Sequence, residues 1–201
     1  MRKQIRSEEP QVLKKNADKW NSRWRDLRAK NPSAKFSWYQ HQGRSLRDWI
    51  LPHLREMNQS HCSFCDSFPI EATSNEPIEH FRPKSHPEFA EQAYSWANLY
   101  YCCEKCQSSK REKWNEHLLR PDDFEYSFSR YFVYDFTTGQ ISPNPKATPL
   151  DQRRAAVTIE LYGLDNASRR RLRRLALKHW GDSKQPDALE FPYRDYIEMY
   201  A

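Results

Sequence analysis

Two cysteine pairs limit what this chain can become more than any other feature. They are Cys62-Ser63-Phe64-Cys65 and Cys103-Glu104-Lys105-Cys106, with 37 residues between them. Two residues between cysteines bring both thiolates to one side of a tight turn, the spacing that tetrahedral zinc takes. Two such knuckles close a four-sulfur structural site. A thioredoxin-like redox role needs one pair and a βαβ setting, which the sequence lacks. The pattern predicts Cys62, Cys65, Cys103 and Cys106 as ligands of one structural Zn²⁺. Cys102 is an alternative to Cys103 in a looser pair with Cys106, and His61 is a second alternative ligand.

Metal ligation rather than disulfide bonding suits a compartment where thiols stay reduced. The first residues, Met1 to Arg6, start basic but no apolar core follows them, and no segment approaches the roughly 20 apolar residues that span a bilayer. The expectation is a cytoplasmic protein with no membrane partner. At 201 residues the chain is long enough to bury a real core. Its mean hydropathy of −1.06 is polar, yet 14% of the residues are aromatic, which sets it apart from disordered chains.

Net charge is +6, and five of the six residues from Arg169 to Arg174 are arginine. Such a field attracts phosphate-rich partners, so Arg170, Arg173 and Arg174 are candidate nucleic-acid contacts; a solvated helix face is the plain alternative.

Leu13, Ala17, Trp20, Trp24 and Leu27 recur at helical spacing, so residues 11–30 read as an amphipathic helix that Asn31-Pro32 ends. Ser45 with Asp48 reads as a capping box opening a helix through Leu46, Ile50, Leu54 and Met57, with Pro52 marking a kink or a restart. Segments 131–136 and 140–142 read as a β-hairpin around Thr137-Thr138-Gly139. Thr148-Pro149-Leu150-Asp151 is a helix start, with Leu150, Val157 and Leu161 on one face and Gly163 as its stop. Ser168 can cap a further helix that turns Leu172, Leu175, Ala176 and His179 inward and the arginines outward.

Between the knuckles lies Ile78-Glu79-His80-Phe81-Arg82-Pro83-Lys84, followed by Trp96-Ala97-Asn98-Leu99 and, after the last cysteine, Gln107-Ser108-Ser109-Lys110. An acid beside a histidine is ordinary by itself. Together with Asn-Leu before a Cys-x-x-Cys knuckle and a polar residue directly after it, the pattern resembles the zinc-braced HNH (ββα-metal) endonucleases. The wording Glu-His-Phe-Arg-Pro-Lys with Trp-x-Asn-Leu is similar, more narrowly, to the HNH proteins of Septu and retron-type anti-phage systems. Glu9-Pro10 with the tryptophan-bearing helix, and the stretch from Tyr134 to Leu164, extend the likeness over most of the chain.

The resemblance implies roles residue by residue. His80 matches the general base that activates water, Glu79 the acidic ligand of a catalytic divalent ion, and Asn98 the residue that braces the loop so that His80 is aimed. Gln107 takes the position of the second metal ligand, where the family carries His or Asn. Its longer side chain departs from the pattern. The four cysteines match the zinc ligands. Oxygen donors favour Mg²⁺ or Mn²⁺ on Glu79 and Gln107, whereas thiolates favour Zn²⁺. Arg82, Lys84, Lys110 and Arg111 are candidate phosphate contacts.

The fold expected is α+β: an N-terminal helical segment over 1–60, a zinc-braced HNH core over 61–120, and a hairpin with basic helices over 121–201. The function implied is metal-dependent phosphodiester hydrolysis of DNA or RNA. The Septu-type resemblance implies an ATPase partner, and the retron version also a reverse transcriptase with its DNA–RNA product. The rival reading is a zinc-finger adaptor that binds without cutting. It accounts for the cysteines and the basic helix but has no use for Glu79, His80 and Asn98.

Overall fold

A computed structural model of the chain describes residues 1–70, 72, 74–75, 78–183 and 187–201. Helix α1 (Gln11–Lys30) forms where the apolar spacing predicts it and buries Leu13, Ala17, Trp20 and Trp24; Leu27, in its last turn, is exposed. The buried face also carries Asn21, whose Oδ1 accepts from the Tyr94 N–H (2.7 Å) and whose amide donates to Ser95 Oγ (3.1 Å). Trp24 Nε1 donates to the Lys84 carbonyl (2.7 Å), and Arg28 donates to that of Ser85 (2.8 Å). One face of α1 thereby fastens both ends of the loop that follows His80.

Two short strands, β1 (Gln40–His41) and β2 (Arg44–Ser45), pair and lead into α2 (Leu46–Met57). Ser45 stands at the N-cap position, but its side chain makes no cap hydrogen bond, and the helix runs unbroken past Pro52. The expected capping box is therefore not formed. Leu46, Ile50 and Leu54 hold the helix by burial instead.

Strands β3 (Ile78–His80) and β4 (Leu99–Tyr101) pair antiparallel, Ile78 opposite Tyr101 and His80 opposite Leu99. All six residues are buried, so this ribbon is covered on both faces. Chain direction carries β4 through Cys102 and Cys103 directly into α3 (Glu104–Lys110). A one-turn helix α4 (Phe128–Tyr131) precedes the hairpin of β5 (Phe132–Asp135) and β6 (Gln140–Pro143), close to its expected limits.

Helix α5 (Pro149–Tyr162) starts as read: Thr148 Oγ1 accepts from the Asp151 N–H (3.1 Å), with proline at the first position. It ends at Gly163 in the left-handed region (φ 58°), where a Cβ would meet Ser109 Oγ of α3 at 2.9 Å. Leu150 is exposed rather than inward; Ala155, Thr158, Leu161 and Tyr162 form the buried face. Tyr162 stacks on Phe64 of the first knuckle, ring centroids 3.8 Å apart.

Helix α6 (Ala167–Asp182) corrects the sequence expectation twice. Asn166, not Ser168, is the cap, its Oδ1 accepting from the Arg169 N–H (3.0 Å). The inward face is Arg169, Arg173 and Ala176, while Leu172 and Leu175 are exposed. Two arginines turn inward because acceptors wait for them there, as described below. Helix α7 (Arg194–Tyr200) closes the chain by packing Tyr196 and Ile197 with Ala176 and Tyr193. Mixed helices and small two-stranded sheets make the fold α+β. No helix among the described residues is long and apolar enough to cross a membrane.

Candidate metal and catalytic centres

The Sγ atoms of Cys62, Cys65, Cys103 and Cys106 lie within 4.8 Å of one another, and all four residues are buried. Cys65 and Cys103 sulfurs are 3.6 Å apart. Tetrahedral zinc with bonds of about 2.3 Å sets its sulfurs a little under 4 Å apart, so the cluster fits that ion. Each pair sits where the backbone turns sharply. Asp66 follows Cys65 in a left-handed conformation (φ 59°) and its N–H donates to the Cys62 carbonyl (2.9 Å), while Cys103 caps α3. The knuckles are joined by a backbone bond from the Ser63 N–H to the Tyr101 carbonyl (2.8 Å) and by the Cys103 N–H aimed at Cys62 Sγ (3.4 Å).

Four thiolates around Zn²⁺ leave two negative charges. The buried Arg169 answers them, donating from Nη2 to Cys106 Sγ (3.1 Å). Burial works against its charge, and the sulfurs of Cys106, Cys65 and Cys103 more than offset that, holding the guanidinium well above its ordinary pKa. The two alternative ligands fall outside the cluster. Cys102 is buried beside it, its Sγ 3.5 Å from the Cys103 carbonyl. Both ring nitrogens of His61 face carbonyls, Gln59 O at 2.7 Å and Phe191 O at 3.0 Å.

The second centre lies on the β3–β4 ribbon. His80 is buried, stacked on Trp38 (centroids 5.6 Å apart, 18° between planes) with its ring edge to face against Phe36. Its Nε2 lies 2.9 Å from the Ala93 carbonyl. A carbonyl can only accept, so this contact assigns the proton to Nε2 and leaves the Nδ1 lone pair free. Burial pushes the imidazole well below its usual pKa, and Lys84 and Lys110 add to that, so the ring is neutral near pH 7.

Asn98 bonds with both ends of its amide. Oδ1 accepts from the Arg82 N–H (2.7 Å), and Nδ2 donates to the carbonyls of Arg82 (3.0 Å) and Gln92 (2.9 Å). It ties the start of the 81–98 loop to its end, next to the carbonyl that orients His80.

Glu79 and Lys110 form a buried ion pair, Oε1 to Nζ 2.7 Å, and the same ammonium donates to the His80 carbonyl (3.0 Å). Burial pushes the Glu79 carboxyl up while Lys110 pulls it down. Gln107 donates from Nε2 to the Ile78 carbonyl (3.2 Å), which directs its own carbonyl oxygen away from that strand. Glu79, His80, Lys84, Gln107 and Arg111 line one depression of about 470 Å³.

The basic residues divide. Lys110 is wholly buried as the Glu79 counter-ion. Arg82 lies over the rings of Phe89 and Trp114 and donates to Gln92 Oε1 (3.2 Å). Lys84 and Arg111 reach the depression, and Arg111 is exposed. In the arginine run, Arg170 pairs with Asp165 (2.5 Å) and Arg174 is exposed. Arg173 is buried, donating to the carbonyls of Gly139 (2.8 Å) and Leu164. Arg173→Gln should therefore behave as a core lesion. Stranding two buried carbonyls costs about 2 kcal/mol, or roughly 6 °C in melting temperature, whereas Arg174→Gln should leave the melting curve in place.

Sequence reasoning missed Arg169 as the sulfur donor, the Ala93 carbonyl, and Trp38 with Phe36 around His80. The signal for Arg169 was present: Asn166 is as good a cap as Ser168, and starting there puts 169, 173 and 176 on one face.

No family model matches the chain. Over 72 residues it is 35% identical to the Septu protein PtuB of Bacillus mycoides (strain KBAB4), a match that covers 30% of this chain. The match spans 24% of the length of that protein. This similarity links the chain to the Septu proteins over that stretch.

Proposed function

We propose that the chain is a metal-dependent HNH endonuclease, braced by a four-cysteine zinc site, and the nuclease component of an anti-phage defence system that works with an ATPase partner. The observation that carries the reading is the state of His80. It is a neutral imidazole with Nε2–H held by a backbone carbonyl and Nδ1 free, beside a carboxylate, at the edge of an open depression. A structural histidine needs no free lone pair there; a general base does. The order β3, β4, α3 of the elements that carry Glu79, His80 and Gln107 supports a ββα reading, and the similarity to the Septu protein supports the defence setting.

In this reading His80 takes a proton from water at Nδ1, and Asn98 keeps the Ala93 carbonyl and the loop where His80 needs them. Glu79, through the oxygen that Lys110 does not hold, and Gln107, through its carbonyl, would hold Mg²⁺ or Mn²⁺. These are hard oxygen donors and fit such an ion. Bound there, the ion would supply charge relief on the phosphate and the leaving oxygen. Lys84 and Arg111, which line the depression, are the basic side chains best placed for phosphates; Arg174 is exposed on α6 as a candidate for the flanking strand, and Arg82, Lys110 and Arg170 are engaged in protein contacts. The segments 1–60, 61–120 and 121–201 would then serve as support, nuclease core and basic flank.

The test is gel cleavage of labelled DNA and RNA with Mg²⁺ or Mn²⁺, with and without the proteins encoded beside this one. His80→Ala should keep zinc content and a cooperative melting transition, lowered by several degrees because a buried ring and the partner of the Ala93 carbonyl are lost, while cleavage falls by about 10²- to 10⁴-fold. His80→Ala cutting as well as the wild type would hand the assignment to the adaptor reading, which Glu79 and Asn98 do not favour.

A further inference from the structure

His80, Lys84 and Gln107 border two depressions, not one. On one side of them lie Glu79 and Arg111, the acid and base expected around a phosphate and its metal ion. On the other side opens a cleft of about 630 Å³, within the 300–1,000 Å³ typical of clefts that hold small organic groups. Its character differs. Phe36 and Trp38, both half-buried, form an aromatic wall. Lys84, over the Phe36 ring, supplies positive charge, and Arg47, bonded to the Asn75 carbonyl (2.7 Å), also lines the cleft. No carboxylate lines it among the described residues.

We infer that this cleft is a nucleobase subsite, which takes one unpaired base of the substrate strand while the adjoining phosphodiester lies across His80, Lys84 and Gln107. The inference rests on the nuclease reading above and specifies its substrate as a strand with at least one unstacked nucleotide. Three features converge on a base rather than on another flat group. Aromatic faces bind bases of any identity by stacking, and cations beside them add to it. A polynucleotide that presents a phosphate to His80 necessarily brings a base within reach of the neighbouring cleft. And the bases of a closed duplex are stacked on each other, so their faces cannot reach Trp38 unless one leaves the helix.

The experiment measures binding and cutting separately. Wild-type protein, loaded with zinc and kept free of Mg²⁺ and Mn²⁺, is titrated with a labelled nine-nucleotide single strand, with the same strand carrying one abasic site moved stepwise along it, and with its closed duplex. One abasic position should weaken binding by about 10-fold, the effect expected of a lost base–aromatic stack, while its neighbours do not. Trp38→Ala should remove that position dependence, and Trp38→Phe should restore it. Because the abasic scan also runs on protein with Trp38 intact, a folding defect in the variant cannot hide the answer. A flat scan, a duplex bound as tightly as the strand, or no binding of any oligonucleotide overturns the subsite. Cleavage by the wild type is scored in parallel: cutting with a flat scan removes the subsite and leaves the nuclease reading, whereas no cutting in any metal removes the nuclease reading itself.

Discussion

Stripping the four thiolates of zinc is expected to unfold the protein rather than merely silence it. Structural zinc sites of this type contribute on the order of 10 kcal/mol of apparent free energy near neutral pH, more than the whole stability of many domains. The cluster is buried between the first knuckle and α3, and the β3–β4 ribbon, Phe64 and Arg169 all pack around it. The purified protein should carry about one zinc per chain. A strong chelator should abolish the cooperative melting transition, and Cys106→Ser should reproduce much of that loss because it removes a ligand that also receives the Arg169 N–H. Elemental analysis without zinc, or a melting curve indifferent to chelation, would refute the assignment.

The second large effect concerns Lys110. A buried ion pair is costly to assemble, and breaking it from one side is costlier still, since the partner is left charged in a poorly solvated place. Lys110→Met should cost about 3–5 kcal/mol, because Glu79 is just as buried and Lys110 also holds the His80 carbonyl. Replacing both partners, Lys110→Met with Glu79→Gln, should recover a good part of that loss, and the difference between single and double variants measures the coupling. Denaturant unfolding of the four proteins settles it. If Lys110→Met unfolds at the same denaturant concentration as the wild type, water reaches this pair and the account of the site's interior is wrong.

Features decided by nearby residues were legible in the sequence. The spacing of Leu13, Ala17, Trp20 and Trp24, the cap at Thr148 and the stop at Gly163 each depend on a few neighbours, and each appears as read. The four-cysteine cluster was legible for a related reason, since thiolate chemistry leaves few alternatives. What could not be read is settled by partners far along the chain. Arg169 and Arg173 face inward because Cys106, Gly139 and Leu164 offer acceptors 63, 34 and 9 residues away. Lys110, which looks like a surface phosphate contact in the sequence, is interior because Glu79 waits for it across the ribbon. Ser45 and Asp48 carry the capping-box pattern, but burial of Leu46 settles the start of α2 without it.

Asp66 shows how far such dependence can stretch. It directly follows the second cysteine of the cluster, and five of its bonds come from the other end of the chain. The Tyr193 N–H donates to its carbonyl (2.8 Å), and the Arg194 N–H (2.7 Å), Nη2 (2.6 Å) and Nε (3.2 Å to each oxygen) donate to its carboxylate. The Asp66–Arg194 bonds join residues 128 positions apart, both of them buried. During synthesis, at roughly 5–20 residues per second, the first knuckle therefore emerges many seconds before its last partners exist. Cys62 and Cys65 can hold metal in that interval, yet Asp66 has no cation to face and the turn beside the sulfurs stays incomplete. A ribosome stalled before residue 193 would hold a chain with all four zinc ligands and an unfinished site.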